Sequence, residues 1–277
     1  MPHPVFAASN IAVITGAASG IGLAIARLCA AHNLKMVLTD VNGPLLQEAA
    51  GTLEAPKENV ETVTMDVGDR GAWASVKEKV DQKFGGKVDF LVLNAGVGPK
   101  TDWEDVESFK KLYNTNIFGV LNGIAEFLPT LKKNSTPSSI VILGSKQGIT
   151  NPPSNPGYNS SKSAVKTLTE HLSFDLKETP ISVHLLVPGW TFTGMTGAGK
   201  ADKPAGAWTA DQVAERLAIK MEKGEFYVIC PDNDVTEEMD RKRIAWAVGD
   251  VIEGRPALSR WRGGEWGEKH KAFMEGN

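Results

Sequence analysis

Tyr158 and Lys162 stand four residues apart, separated by Asn159, Ser160 and Ser161. On a helix that spacing puts both side chains on one face. A phenol of pKa about 10 is a poor base at neutral pH, but a neighbouring ammonium favours the phenolate. A depression of about 3 units needs about 4 kcal/mol at about 1.36 kcal/mol per unit, within reach of close cations in a partly desolvated site. The pair therefore reads as a proton-transfer device. The competing reading is a surface tyrosine beside a solvated lysine.

A second constellation lies near the amino terminus. Thr15-Gly16-Ala17-Ala18-Ser19-Gly20-Ile21-Gly22 follows an apolar run and leads into a helical pattern. Three glycines in such a turn let backbone approach a pyrophosphate, while the helix supplies free N–H groups and a positive dipole end. Asp40 closes the next apolar run. A carboxylate there can accept from a ribose 2′-OH and repel a 2′-phosphate, or it can brace the Asn42-Gly43-Pro44 turn.

These residues need a scaffold, and the hydrophobic pattern supplies one. Strand-length runs fall at Ile11 to Thr15, Lys35 to Asp40, Val60 to Asp66, Phe90 to Asn94, Ser139 to Leu143, Ser182 to Val187 and Phe226 to Cys230. Segments of helical period separate them: Gly20 to His32, Pro44 to Leu53, Arg70 to Phe84, Val106 to Lys132, Tyr158 to Lys177 and Thr209 to Lys223. Thr209 and Gln212 have capping-box spacing. The alternation predicts an α/β fold: a doubly wound, seven-stranded parallel sheet with helices on both faces. Two long loops, Ser145 to Gly157 and Gly189 to Ala207, break the rhythm, and loops of that length tend to be functional. Residues 1–277 read as one such domain, with 231–277 as an extension in which Thr236 to Ile252 looks helical.

Thr15-Gly-x-x-x-Gly-x-Gly22, Asn94-Ala95-Gly96, Asn116, Ser145, Tyr158-x-x-x-Lys162 and Pro188-Gly189, in this order, resemble the short-chain dehydrogenase/reductase family over about residues 9 to 231. The resemblance implies a Rossmann oxidoreductase in which Ser145 hydrogen-bonds the substrate oxygen, Tyr158 moves the proton and Lys162 holds the nicotinamide ribose. It implies a water relay at Asn116, adenine contacts at Asp66 and Val67, and passage of the cofactor over Asn94, Ala95 and Gly96. It further places Gly16, Ser19, Gly20, Ile21 and Gly22 on the pyrophosphate, and Pro188, Gly189, Thr191 and Thr193 near the nicotinamide. Many relatives carry Val or Ile where Thr191 stands, so Thr193 is the firmer assignment. NAD is expected over NADP, because Asp40 is present and Ala17, Ala18, Ser19, Val41 and Asn42 offer no cation for a 2′-phosphate.

Gln147, Ile149, Pro152, Pro153, Trp190, Phe192, Met195 and Trp208 are mostly apolar and are expected to line a site for a hydrophobic or aromatic ketone or secondary alcohol, or else to pack the lid. Lys146 meets an anion or faces water. Two other classes stay open: a nicotinamide-binding regulatory protein without turnover, and a reductase of imines or activated alkenes. Thirty Lys+Arg against 33 Asp+Glu, a net charge of −3, call for no nucleic acid. No metal is expected, since the five His and two Cys lack ligand spacing. No membrane or secretory segment is expected, and the two cysteines fit a cytoplasmic location. Apolar residues spread around Val106 to Lys132 and Tyr158 to Lys177 predict a homodimer or homotetramer. Trp246, Leu258, Trp261 and Trp266 predict an extension packed near the Gly189 to Ala207 loop.

Overall fold

The computed structural model describes residues 2–199 and 201–276. Lys200, inside the Gly189 to Ala207 loop, and Asn277, at the tail, lie outside the described residues. In chain order the elements are β1 (Ile11–Thr15), α1 (Gly20–Ala31), β2 (Lys35–Asp40), α2 (Gly43–Gly51), β3 (Val60–Thr64), α3 (Trp73–Phe84) and β4 (Phe90–Leu93). Then come α4 (Val106–Tyr113), a π-helical turn at Asn114–Phe118, α5 (Gly119–Leu131), β5 (Ser138–Leu143), α6 (Gln147–Thr150), α7 (Pro156–Asp175) and β6 (Ile181–Val187). The chain ends with β7 (Thr191–Phe192), β8 (Trp208–Thr209), α8 (Ala210–Glu222), β9 (Tyr227–Ile229), α9 (Glu237–Ile252) and α10 (Gly264–Glu275).

Seven strands form one parallel sheet in the order β3-β2-β1-β4-β5-β6-β9, and β7 and β8 make a small separate pair. The central strands are buried on both faces, as their unbroken Val/Ile/Leu runs demand. One apolar cluster packs α1 and α8 against the sheet; a second packs α3, α5 and α7 against the other face. Strand order reverses between β1 and β4, opening a crevice at their carboxyl ends.

Three departures from the sequence reading bear on function. The expected single helix from Val106 to Lys132 is two helices joined by the π turn, because Asn116 at its centre turns inward and is fully buried. The active helix starts at Pro156, two residues earlier than expected: Asn155 caps it by accepting from the Tyr158 N–H at 3.4 Å, and proline suits the first turn. The Ser145 to Gly157 loop contains the short α6, whose Gly148 lies so close to α7 that a Cβ would stand 2.6 Å from the Lys162 carbonyl carbon.

Candidate active site

The glycine turn follows from close packing. Gly16 and Gly20 have φ of +65° and +54°. A Cβ on Gly16 would lie 2.9 Å from the Ala95 Cα, and one on Gly22 only 2.2 Å from the Gly16 carbonyl oxygen. Thr15 ties this turn to the end of β4: its Oγ1 accepts from the Asn94 and Ala95 N–H groups at 2.9 and 3.0 Å. Asn94 returns the tie, its Nδ2 donating to the Thr15 and Gly16 carbonyls. Thr15 was named in the motif but not as a site residue; its place between strand and glycine turn was the available signal.

A cavity of about 700 Å³ opens along this crevice, lined among others by Gly16, Ser19, Gly20, Ile21, Asp40, Asn94, Ala95 and Gly96. Ser19 occupies the N-cap of α1 yet makes no capping bond with its side chain, so the helix end stays available to an anion. The residues therefore fit the pyrophosphate of a dinucleotide. Asp40 lines the same cavity, held by the Ala18 N–H on Oδ2 (3.1 Å) and the Asn42 N–H on Oδ1 (3.0 Å). Its turn-bracing and cavity-facing readings both hold.

Ser145, Tyr158 and Lys162 meet at the other end, with Pro188, Gly189, Thr191 and Thr193 completing the wall. Gly20 faces Thr193 directly, since a Cβ there would be 3.2 Å from the threonine Cβ. Thr191 instead turns its hydroxyl to the Gly189 carbonyl at 3.3 Å. Lys162 is fully enclosed and donates to the Leu143 carbonyl at 2.8 Å. Burial lowers its ammonium to a pKa of about 8. The same enclosure raises the Tyr158 phenol, against a hydrogen bond from Ser145 that works to lower it. Lys162 alone does not supply the expected depression of Tyr158. The Nζ sits 5.8 Å from the tyrosine ring centre and aims at a carbonyl, so desolvation outweighs it.

Asn116 is spent on the backbone after β4. Its Oδ1 accepts from the Val97 N–H at 2.8 Å, and its Nδ2 donates to the Val97 carbonyl and to Ser161 Oγ at 2.9 and 3.0 Å. It positions the Gly96-Val97 bend between itself and Lys162. Asp66 and Val67 follow β3 outside the main cavity's lining: Asp66 is exposed and accepts from the Gly68 N–H at 2.8 Å, while Val67 is buried. Gly22 also lies outside the lining and serves the packing of α1.

Gln147, Trp190 and Met195 line the cavity. Five other expected lining residues do not: the Pro152 carbonyl accepts from Asn159 Nδ2 at 2.5 Å, and Trp208 packs against the apolar cluster of α1 and α8. Ile149 packs into the core beside α7, Pro153 is exposed, and Phe192 faces a neighbouring cavity under the Thr193–Ala198 segment. Gly98, Lys146, Asn155, Gly194 and Thr196 take part instead. Among these, Lys146 is expected from the sequence to meet an anion or face water, and for Asn155 the Asn-Pro cap signature was the available signal.

In the extension, the Asn233 side chain donates to the Ala205 carbonyl at 2.6 Å, and its backbone N–H donates to the Gly206 carbonyl at 3.0 Å. The turn before α9 therefore packs on the Gly189 to Ala207 loop. The tail beyond residue 255 packs on α9: Trp246 donates to Ser259 Oγ at 2.8 Å and lies 5.2 Å from the rings of His270 and Phe273. Among the described residues no helix is long and apolar enough to cross a membrane.

A doubly wound parallel sheet with a glycine turn at its switch point defines a nucleotide-binding Rossmann protein. The chain belongs to the short-chain dehydrogenase/reductase family of oxidoreductases: the model for short chain dehydrogenases matches residues 10–204. A 1-deoxy-11-beta-hydroxypentalenate dehydrogenase of Streptomyces avermitilis is 30% identical over 246 residues, 86% of this chain and 90% of its own. A short-chain dehydrogenase/reductase of Burkholderia phymatum, solved with NAD, superposes with a TM-score of 0.78 at 26% identity, covering 90% of this chain and 96% of the other. An alcohol dehydrogenase of the archaeon Thermococcus sibiricus, solved with 5-hydroxy-NADP, gives 0.71 at 27% identity, covering 80% and 96%.

Proposed function

We propose that this protein is an NAD-dependent oxidoreductase that interconverts a secondary alcohol and a ketone. The observation that carries the reading is the single cavity lined by Asp40 at one end and by Ser145, Tyr158 and Lys162 at the other. NAD, when bound, supplies the hydride acceptor, and NADH the donor. The first turn of α1, with Gly16, Ser19, Gly20 and Ile21, would hold the pyrophosphate, and Asp40 the adenosine ribose. Asp66 and Val67 would flank the adenine. Asn94, Ala95, Gly96, Pro188, Gly189, Thr191 and Thr193 would border the nicotinamide half, with Lys162 on its ribose.

Ser145 would donate to the substrate oxygen, and Tyr158 would give or take its proton. Burial, which raises the phenol, works against proton transfer, and the hydrogen bond from Ser145 is the contribution that brings it back toward a working acid. Asn116 fixes the bend that brings Gly96 against Lys162. Trp190 and Met195 would meet an apolar or aromatic substrate body, while Gln147 and Asn155 offer it polar contacts.

The test is steady-state kinetics on a ketone and alcohol panel with each cofactor. A higher kcat/KM with NADH than with NADPH is expected, and Asp40→Ala combined with Val41→Arg should move the preference toward NADPH. A wild-type preference for NADPH overturns the cofactor assignment. Tight NAD binding without turnover across the panel favours the regulatory reading. We place the protein in the cytoplasm, since Cys29 and Cys230 are free and buried, a location that cell fractionation checks. Phe118 and Phe174, 53% and 65% exposed on the α5 and α7 side, support at least a homodimer. Light scattering showing a 29.7 kDa particle at micromolar concentration would refute it.

A further inference from the structure

Trp190 is a cavity wall placed by its backbone. The residue is 44% exposed and borders the same space as Ser145 and Tyr158. Its carbonyl accepts the Trp208 N–H at 2.9 Å, and its own N–H donates to Asp232 Oδ2 at 3.1 Å. Asp232 follows β9, and its Oδ1 accepts the Asp234 N–H at 3.2 Å. Lys146 Nζ stands 3.6 Å from that same Oδ2 and pairs with Asp240 Oδ2 at 2.6 Å. Asp240 lies in the first turn of α9. Both carboxylates belong to the extension, beyond the 10–204 stretch that the family model matches.

The contacts run from α9 to the wall: Asp240 to Lys146, Lys146 to Asp232, Asp232 to the Trp190 N–H. No side chain cushions them at Gly189, where a Cβ would stand 2.6 Å from Asp232 Oδ2 and 2.8 Å from Lys146 Nζ. Lys146 also joins two strand ends, since it follows Ser145 directly and its N–H donates to the Pro188 carbonyl at 3.3 Å. The Lys146, Asp232 and Asp240 side chains are only 15%, 7% and 4% exposed. Removing one charge from such a group leaves its partner unbalanced and costs far more than breaking a surface pair. Without the Asp240 charge, the ammonium keeps one carboxylate within reach, Asp232, whose Oδ2 holds Trp190. It would then draw on that oxygen in competition with the Trp190 N–H, because charge-assisted hydrogen bonds are the stronger ones.

We propose that Asp232 and Asp240 are positioning residues for the substrate: linked by Lys146, they hold the Trp190 wall, so that the extension completes the substrate half of the cavity. Lys146 is the link, its charge spent on the two carboxylates. The inference rests on reading the cavity as the ketone and alcohol site.

Two arms test this in the full-length protein. The first is kinetics with a ketone that the wild type reduces. Asp240→Asn raises KM for the ketone about fivefold or more and leaves kcat and the Kd for NADH within about twofold, a size usual for residues of one ion-pair network. In a Lys146→Met background the same substitution changes KM by less than about twofold, because the link is already cut. A general loosening would move kcat and the NADH Kd as well, and would add to Lys146→Met. The second arm is ¹⁹F NMR of protein carrying 5-fluorotryptophan, with the Trp190 resonance assigned by its loss in Trp190→Phe. Asp240→Asn moves that resonance by more than its linewidth, while Trp73, in the cluster under α3, and the exposed Trp103 stay in place. The inference is overturned if a folded Asp240→Asn variant leaves KM or the Trp190 resonance unchanged, if kcat or the NADH Kd changes as much as KM, or if the two substitutions add. Should Asp240→Asn not fold, the Lys146→Met, Asp240→Asn double variant, which removes both charges of the pair, decides by the same resonance: a wild-type position overturns the inference. The NMR arm needs no turnover, so a protein inert on every ketone counts against the proposed function and leaves this inference to the Trp190 resonance.

Discussion

The sheet buries polar groups at both ends of its strands, and the two ends use them differently. At the amino end Asp89 accepts the Ile11 N–H at 3.0 Å and pairs with Lys87 at 2.6 Å. His184 sits between the Glu225 carbonyl at 2.8 Å and Ser182 Oγ at 3.1 Å, and Ser182 meets Ser139 at 2.5 Å. The N-terminal segment seals this end: Phe6 stacks on His32 and meets Phe90 edge-on, and His3 meets His184 edge-on at 5.9 Å. At the carboxyl end Ser145, Tyr158, Lys146, Gln147 and Asn155 line an open cavity. Burial of polar atoms alone therefore does not mark a site. What marks it is polar atoms kept beside space that something else can fill.

Substitutions that separate activity from stability test this contrast. The largest effect belongs to Tyr158→Phe, which keeps the ring and removes the proton. Loss of about 10²- to 10⁴-fold in kcat is expected, the usual worth of general acid–base transfer, with cofactor affinity retained. A variant keeping more than about a third of wild-type kcat, with chemistry shown to limit the rate, would break the assignment. At the amino end Asp89→Ala should do the converse. It leaves the Ile11 N–H buried and unpaired, at about 1–3 kcal/mol of unfolding free energy, while kcat stays within about twofold. Urea unfolding and kinetics on the same preparation compare the two.

The carboxyl end was legible in proportion to how local its chemistry is. The glycine turn, Asp40 and the Tyr158–Lys162 pair are set by backbone geometry and helical spacing, which neighbouring residues dictate. Each was found at its expected element, as were all seven strands of the main sheet. Asn116 was placed on a helix but not in a π turn, because the extra backbone residue leaves no periodic trace over so short a stretch. The substrate wall was the least legible part. Ile149, Pro153 and Phe192 are apolar residues in the right loops, but which way each side chain points depends on packing against α7 and α8. The partners of Lys146 lie on an extension that sequence order puts more than two elements away, so nothing in the Ser145 neighbourhood could announce them.

A smaller effect separates the extension from both ends. Removing residues 255–277 takes away the Arg255 stack on Trp246, 4.0 Å from its ring, and the Ser259 hydroxyl that the indole donates to. Trp246, now 5% exposed, would meet water, and α9 would lose the support that holds Asp240 against Lys146. KM for the ketone should rise more than the Kd for NAD, because the glycine turn and Asp40 touch none of this. Equal changes in both constants, or none in KM, would show that the extension does not serve the substrate half.

The smallest effect is a titration that reads the amino end alone. Burial, then the charge of His184, lowers His3 from 6.5 to about 4. His184 is lowered too, by burial, against the hydrogen bond to the Glu225 carbonyl. Histidines with depressed folded-state pKa bind fewer protons folded than unfolded, so stability is complete above the unfolded value of 6.5 and is lost as pH falls toward 4. Glu225, lowered from 4.5 by its hydrogen bond from Lys220, keeps its contribution above 4.5 and loses it only below. Between 4.5 and 6.5 the decline belongs mainly to histidines, with His270 in the tail adding its own share. Asp240, raised by burial, works in the opposite direction. The wild-type curve therefore mixes both ends of the sheet, and the double substitution His3→Gln, His184→Gln isolates one. Urea midpoints measured across that window should slope less steeply in the double variant than in wild type. An unchanged slope would mean that the sealed end does not titrate, and that the acid sensitivity lies with the tail.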